Sequence, residues 1–217
     1  MSIDFSFVIR VAPILVEGLS TTIWLAAPAI VLSALWGVVV VMGLLSRSRA
    51  LAAITGGYVE AVRNTPVLVQ MFFIFFGSGY AGYPVSGFIA GLLALVLQNG
   101  AYAAEIYRGG IRAVTHRLAE AGLVLGLTPR RAFRLIVLPL AVRNVIPSLS
   151  NQGVLIIKDT SLVATISVAE LTFHARLLAD RTAAVFEIFF TLALFYLALT
   201  AIFSGGMRLL ERRMRIA

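Results

Sequence analysis

Apolar residues gather into five long runs along this chain, separated by short connections rich in arginine, glycine and proline. Residues 21–45 carry no charged side chain over 25 positions, and Trp24 sits where an interfacial ring would anchor a membrane span. The second run, 54–76, is polar in its first half (YVEAVRNTP) and lipid-like in its second (VLVQMFFIFFG). The third, 86–104, has Gln98 and Asn99 set within it. The fourth, 135–157, is interrupted by Pro139, Pro147 and Gly153, and the fifth, 184–205, has Glu187 near its start. No internal repeat, low-complexity tract or linker divides the chain, so the pattern predicts one helical membrane domain of five spans.

Composition agrees with that reading. Of the 217 residues 60% are apolar and 13% charged, with a mean hydropathy of +0.96. A soluble domain is nearer to about half apolar and a quarter charged. The net charge of +8 does not point to nucleic acid, because the basic residues lie between apolar runs and lack interleaved aromatics. With no cysteine there is neither a disulfide frame nor a thiolate nucleophile. The N-terminal stretch has acids at Asp4 and Glu17, a single base at Arg10 and no small-residue cleavage signal, so it does not read as a removable signal peptide.

The arginines set an orientation. Arg47 and Arg49 follow the first run, Arg108, Arg112, Arg117, Arg130, Arg131 and Arg134 the third, and Arg208, Arg212, Arg213 and Arg215 the fifth. The opposite connections hold Arg10 alone, no charge in GSGYAGYPVSG, and a balanced 170–182 stretch with Glu170, Arg176, Asp180 and Arg181. Basic loops stay in the cytoplasm, so the N-terminus is expected outside and the C-terminus inside, which requires an odd number of spans.

The stretch HRLAEAGLVLGLTPRRAFRLIVLP, 116–139, then lies on the cytoplasmic side. Residues 117–125 form a short helix that Gly126 would end, since glycine takes the left-handed conformation past a helix terminus. Thr128 suits an N-cap and Pro129 the first helical position of a second helix running on into the fourth span. Ala119, Ala121 and Gly122 leave one side of the first helix nearly flat beside Glu120, the shape of a docking knob; a plain connecting loop is the alternative.

Glu120 and Ala121, then Gly126, and after nine intervening residues Ile136, Leu138 and Pro139 make a motif that resembles the permease subunits of binding-protein-dependent ABC importers. YVEAVRNTPVLVQMFFIFFG (58–77), AYAAEIYRGGIRAV (101–114) and NQGVLIIKDTSLVATISVAEL (151–171) look like the polar amino-acid branch, and these stretches with the loop cover well over half the chain. One departure is Gly122, where the family usually has alanine; the helix is weaker there by roughly 1 kcal/mol. The resemblance implies an all-α integral membrane fold over 1–217, five transmembrane helices of the type I ABC importer permease kind, with a cytoplasmic coupling helix in the 108–134 loop. It implies that Glu120, Ala121, Gly122, Gly126, Leu138 and Pro139 dock on a separate ATPase, and that ATPase closure on ATP drives alternating access. The partners it implies are an ABC ATPase subunit dimer, a second permease subunit, an extracytoplasmic solute-binding protein and membrane lipid, in the bacterial inner membrane. ATP and Mg would bind the ATPase. This chain's sole lysine, Lys158, follows no glycine-rich phosphate loop, so no cofactor is expected here.

Polar groups at membrane depth are costly unless paired or wet. Gln98, Asn99, Asn151 and Gln152 are candidates to line a solute path, opened by breaks at Pro147 and Gly153; the alternative is amide glue between helices. Lys158-Asp159-Thr160-Ser161 matches the family's K-D-T-S: Asp159 could hold an amino group and Thr160 and Ser161 a carboxylate, or the stretch merely caps the fourth span. Asn64-Thr65-Pro66 matches the family's R-N-T-P, with Pro66 forcing the preceding residue out of helical geometry. Glu60–Arg63, and Glu105 with Arg108 or Arg112, are spaced for ion pairs along a helix. His116 and His174 have no second ligand at metal spacing and read as surface residues. An ion-coupled secondary transporter would need a coupling site and usually repeats, and a membrane enzyme clustered acids or histidines; neither pattern is present. A five-span chain is expected to pair, because alone it would turn polar residues to lipid.

Overall fold

A computed structural model of the chain describes residues 5–114, 116–182 and 184–214, and every regular element among them is helical. Asp4 and Arg215, and the side chains of His116, Arg117 and Ala119, lie outside the described residues. The order is α1 (Phe5–Leu44), α2 (Arg49–Arg63), α3 (Val67–Tyr80), α4 (Gly87–Ala113), α5 (His116–Val124), α6 (Pro129–Ala132), a π-helical turn (Phe133–Val137), α7 (Leu138–Asp159), a 3₁₀ segment (Thr160–Ile166), α8 (Leu171–Thr182) and α9 (Val185–Met214). Among the described residues, four helical stretches are long and apolar enough to cross a membrane: Arg10–Leu44, Gly87–Ala113, Pro129–Ile166 and Val185–Met214. A fifth is reached if α2 and α3 count as one span, although they meet at 102°.

The bend between α2 and α3 departs from the straight second span expected over 54–76. Pro66 has no N–H to give to Val62, and the chain turns there. The Gln70 side chain takes over: its Nε2 donates to the Val62 carbonyl at 2.9 Å and to the Thr65 carbonyl at 3.0 Å. With 14 residues, α3 is roughly 21 Å long and cannot cross a hydrocarbon core of about 30 Å unaided.

Elsewhere the helices outrun the apolar runs. α1 begins well before residue 21, α4 continues to Ala113 and α9 to Met214. Arg112, Arg212 and Arg213 in the last turns complement the helix dipole rather than ending the helix.

α4 is the central helix, packed on α1, α2, α3 and α7. Its closest neighbour is α1, where small residues permit the approach: a Cβ on Gly37 would come within 2.6 Å of the Ala103 Cβ. Trp36 covers Gly100 and donates to the Tyr58 hydroxyl at 2.8 Å, which donates to the Leu97 carbonyl at 2.7 Å, tying α1, α2 and α4 together. Leu25, Ala29, Met71, Ala94, Leu95, Ile156 and Val163 form the main core, and Leu15, Leu171, Ala175 and Ile188 a second one around α8. The outer faces of α1 and α9 expose Trp24, Val31, Leu35, Leu197 and Ile202, a surface suited to lipid.

The fourth run also differs from expectation. α7 passes through Pro147 and Gly153 without a break. Pro147 is exposed, and Gly153 is where the ring of Phe203 from α9 packs against the backbone. The breaks expected at these two residues are absent, and α7 presents no unwound backbone there. The irregularity lies earlier, in the π turn, where the N–H of Leu138 bonds back to the Phe133 carbonyl just before Pro139.

Candidate functional site

The 116–139 stretch folds as a helix, a left-handed glycine and a second helix. Gly126 has φ +82°, its N–H bonds to the Leu123 carbonyl at 2.9 Å, and the Leu127 N–H reaches the Gly122 carbonyl at 3.1 Å. These two bonds are a Schellman cap, which satisfies carbonyls that α5 would otherwise leave open. Thr128 occupies the N-cap of α6 with extended geometry and Pro129 follows in the first turn, although the Thr128 hydroxyl makes no capping bond.

The docking candidates divide by which way they face. Glu120, Ala121 and Gly126 are exposed, and Leu138 and Pro139 are exposed at the start of α7. Gly122 is buried: a Cβ there would lie 2.6 Å from Ile136 Cδ1, so the position faces the π turn of its own chain. The absent methyl at Gly122 therefore serves internal packing. Val124 and Leu125, 87% and 82% exposed, dominate the open end of α5 instead. They escaped sequence reasoning because apolar residues ending a short helix ordinarily point inward.

The four amides also divide. Asn99, 2% exposed, donates to the Leu95 carbonyl at 2.8 Å and accepts from Gln152 Nε2, joining α4 to α7. Gln98 accepts from Gln70 at 2.9 Å, joining α4 to the α2–α3 bend. Asn151 is exposed and makes no side-chain hydrogen bond among the described residues. It stands in a row: Asn144, Ser148, Asn151, Leu155 and Lys158 are all exposed, at the alternating four- and three-residue spacing of one helix face. The row runs roughly 21 Å along α7. Asn144 and Ser148 were missed in sequence; the 3.6-residue period of polar positions inside an apolar run was the signal for them.

In the K-D-T-S stretch both hydroxyls bond back to the preceding helical turn. Thr160 is buried and donates to the Ile157 carbonyl, and Ser161 donates to the Lys158 carbonyl, each at 2.7 Å. Asp159 is half-buried and Lys158 exposed.

A fully buried acid, Glu170, stands behind that segment. Its carboxylate accepts from the Phe173 N–H at 2.8 Å, capping α8, from the Tyr196 hydroxyl of α9 at 2.8 Å, and from Thr22 of α1 at 3.4 Å. Thr22 in turn accepts from the Leu171 N–H at 3.2 Å, and Thr172 lies 3.0 Å from the Tyr196 hydroxyl. Burial pushes the Glu170 carboxyl above the usual carboxylate range, while the hydrogen bonds from Thr172, Tyr196 and Phe173 pull the other way. No local motif marks Glu170 in sequence, since Thr22 and Tyr196 are remote along the chain. His174, expected at the surface, is half-buried against Gly18 of α1. Glu60 and Arg63 do not pair: the Arg63 guanidinium sits 5.0 Å from the Tyr102 ring centre, whereas Glu105 does pair with Arg108, at 2.7 Å.

A family model described as "Binding-protein-dependent transport system inner membrane component" matches residues 36–216. The chain belongs to that family. This binding-protein-dependent inner membrane component is 36% identical over 227 residues to the glutamine transport system permease protein GlnP of Escherichia coli (strain K12), covering 100% of both chains. It is 34% identical over 219 residues to the nopaline transport system permease protein NocM of Agrobacterium fabrum, covering 96% of this chain and 90% of the other. A solved structure titled "Crystal structure of an amino acid ABC transporter with histidines" superposes with a TM-score of 0.92 at 33% identity, over 98% of this chain and 100% of that one. The methionine transporter MetNI in inward-facing conformations shares the fold, with a TM-score of 0.74 at 15% identity over 95% of this chain and 99% of that one. The inner membrane component is thus a multi-pass helical permease of the type I importer fold, and it is not the hydrolysing subunit.

Proposed function

We propose that this permease moves a polar amino acid, or a derivative such as an opine, across the bacterial inner membrane, driven by ATP hydrolysed on a separate ABC ATPase dimer. The observation that carries the reading is the capped end of α5, with Gly126 at φ +82° and Val124 and Leu125 exposed at its tip. A short helix so fixed, on the side where the arginine-rich connections meet, is built to be gripped. Glu120, Ala121, Leu138 and Pro139 border the grip, and Gly122 supports it from beneath through Ile136. Closure of the ATPase would then move α5 and switch the spans between inward-open and outward-open. The names of the relatives, glutamine and nopaline permeases, support the solute class.

The unpartnered row on α7 supports pairing with a second permease subunit, identical or homologous. Asn144, Ser148 and Asn151 facing lipid would be costly, whereas facing a sister subunit they line a wet route. Asn151 then contacts solute, while Gln98, Asn99 and Gln152 hold the helices that shape the route. Asp159, Thr160 and Ser161 sit at its outer end with a solute-binding protein beyond, lipid surrounds the outer faces of the pair, and the N-terminus lies outside.

The test is uptake into proteoliposomes that contain this permease, its ATPase and its binding protein. Uptake is expected to require ATP inside, and Gly126→Glu to abolish it while leaving membrane insertion intact. Nucleotide-independent uptake through this chain alone would overturn the reading in favour of an ion-coupled secondary carrier.

A further inference from the structure

Where α1 ends, between α2 and the last third of α4, lies an open cavity of about 470 Å³ lined by Glu60, Arg63, Asn64, Tyr102, Glu105 and Arg108, together with Leu44, Gly56 and Val59; Glu60 and Arg63 are exposed at its edge. Its volume is within the range of small-molecule sites. The lining carries two carboxylates and two guanidiniums, so its net charge is zero although it is strongly polar. Arg108 and Glu105 are already engaged with each other. The other two charges are not: Arg63 lies over the Tyr102 ring, and Glu60, one turn away on α2, makes no ion pair among the described residues.

We propose that this cavity is a binding site for the zwitterionic end of a free amino acid, with Arg63 holding the carboxylate and Glu60 the ammonium group. Side chains three apart on a helix start roughly 5–6 Å from each other, a spacing that leaves room for both ends of an α-amino acid to sit between them. An anion alone would face Glu60 and Glu105, and a cation alone Arg63 and Arg108; a neutral dipolar ligand satisfies both signs. Tyr102 positions the guanidinium with its ring, and its hydroxyl donates to the Arg63 backbone carbonyl at 3.4 Å, tying the end of α2 to α4. This also explains why the YVEAVRN half of an otherwise apolar region is polar. The inference deepens the importer reading by placing a solute rest site at the inner mouth, and it rests on that reading only for the solute's origin.

The experiment is equilibrium titration of the full chain, in phosphatidylglycerol nanodiscs without nucleotide or ATPase, with L-glutamine as probe. Saturable binding is expected, lost for N-acetyl-L-glutamine, which lacks the ammonium, and for 4-aminobutanamide, which lacks the carboxylate. Glu60→Gln and Arg63→Gln should each weaken binding by about tenfold or more, as expected for one charge-assisted contact, and Arg63→Lys should recover part of it. Gly126→Glu should bind as the unaltered chain does, which separates failure here from failure of the ATP-driven reading. Absence of saturable binding, indifference to Glu60→Gln and Arg63→Gln, or equal binding of either truncated probe would overturn the assignment. Loss of glutamine binding when phosphatidylethanolamine replaces phosphatidylglycerol would assign the cavity to a lipid headgroup and overturn it as well.

Discussion

Replacing Gly126 by alanine isolates the backbone at the tip of α5 from every other property of the loop. Among the described residues no atom lies within 4 Å of where a Cβ would stand, so alanine meets no clash there. What it meets is φ +82°, a conformation that costs an L-residue about 1–2 kcal/mol. That cost shifts the equilibrium between the formed and unformed cap by roughly 5- to 30-fold toward the unformed state. The bonds from Gly126 to Leu123 and from Leu127 to Gly122 then fray together, and α5 loses its fixed end. The assay is transport-coupled ATP hydrolysis by the reconstituted complex, with Gly126→Asn beside Gly126→Ala. Asparagine is larger and polar but tolerates the left-handed region. The expected order of coupling efficiency is glycine, asparagine, alanine, with expression and insertion equal in all three. If alanine couples as well as glycine, or asparagine worse than alanine, side-chain size and not backbone conformation governs the loop, and the cap argument fails.

Asn99→Leu and Gln152→Leu should each destabilise the detergent-solubilised chain by about 1–3 kcal/mol, since each takes one partner from the bond that joins α4 to α7, yet the double variant should cost clearly less than their sum; additive losses in denaturant unfolding would refute the pair. Gln70→Ala removes the donor that covers the Val62 carbonyl at the Pro66 bend, and should lower the thermal midpoint and speed cleavage by protease near residues 62–66; unaltered cleavage would mean the bend holds without it. Glu170→Gln should change how stability depends on pH. The folded-state carboxyl titrates above its unfolded value, so its contribution is fully present below the unfolded value and is lost as pH rises through the folded one. The difference in midpoint between the two chains should therefore grow in favour of the glutamine variant as pH rises across that window; a pH-independent difference would show that the donors around Glu170 balance its burial, and the opposite trend that they outweigh it.

Signals that act over a few residues were legible in the sequence. Gly126 followed by Thr128-Pro129 fixed the stop and restart of helices in the loop, because a left-handed glycine and a first-turn proline are local demands. Asn64-Thr65-Pro66 announced a disruption, though not an angle of 102°, which depends on how Gln70 and Gln98 hold the bend. Pro147 misled for a physical reason: a proline within a long membrane helix loses one bond, and neighbouring helices and adjusted geometry absorb that loss, so α7 continues. The amides were ambiguous in sequence because glue and pathway use the same residue types. Only the third dimension separates Asn99, which meets Gln152 some fifty residues away, from Asn151 next to Gln152, which points outward. Glu170 was invisible for the same reason, its partners lying on α1, α8 and α9.

The positions of the loop and of the polar row also bear on how one could move the other. Gly122 packs on Ile136, and Ile136 belongs to the π turn, which joins α7 with no break in helical hydrogen bonding. Asn144 begins two turns above Ile136 on the same helix. In the proposed cycle, force on the tip of α5 thus passes through its short packing on α6 and the π turn, Gly122 against Ile136 and Ala132, before reaching the element that bears the row proposed to face solute. A helix transmits displacement along its axis with little loss, whereas a π turn, holding a wider ring and followed by a proline with no N–H, is where that axis can bend. On the proposed reading, the packing of Gly122 on Ile136 would be where such a lever is fastened. A methyl added at residue 122, as the family's usual alanine would supply, presses against the flexible end of Ile136 and would alter the angle of α5 while leaving the cap at Gly126 intact.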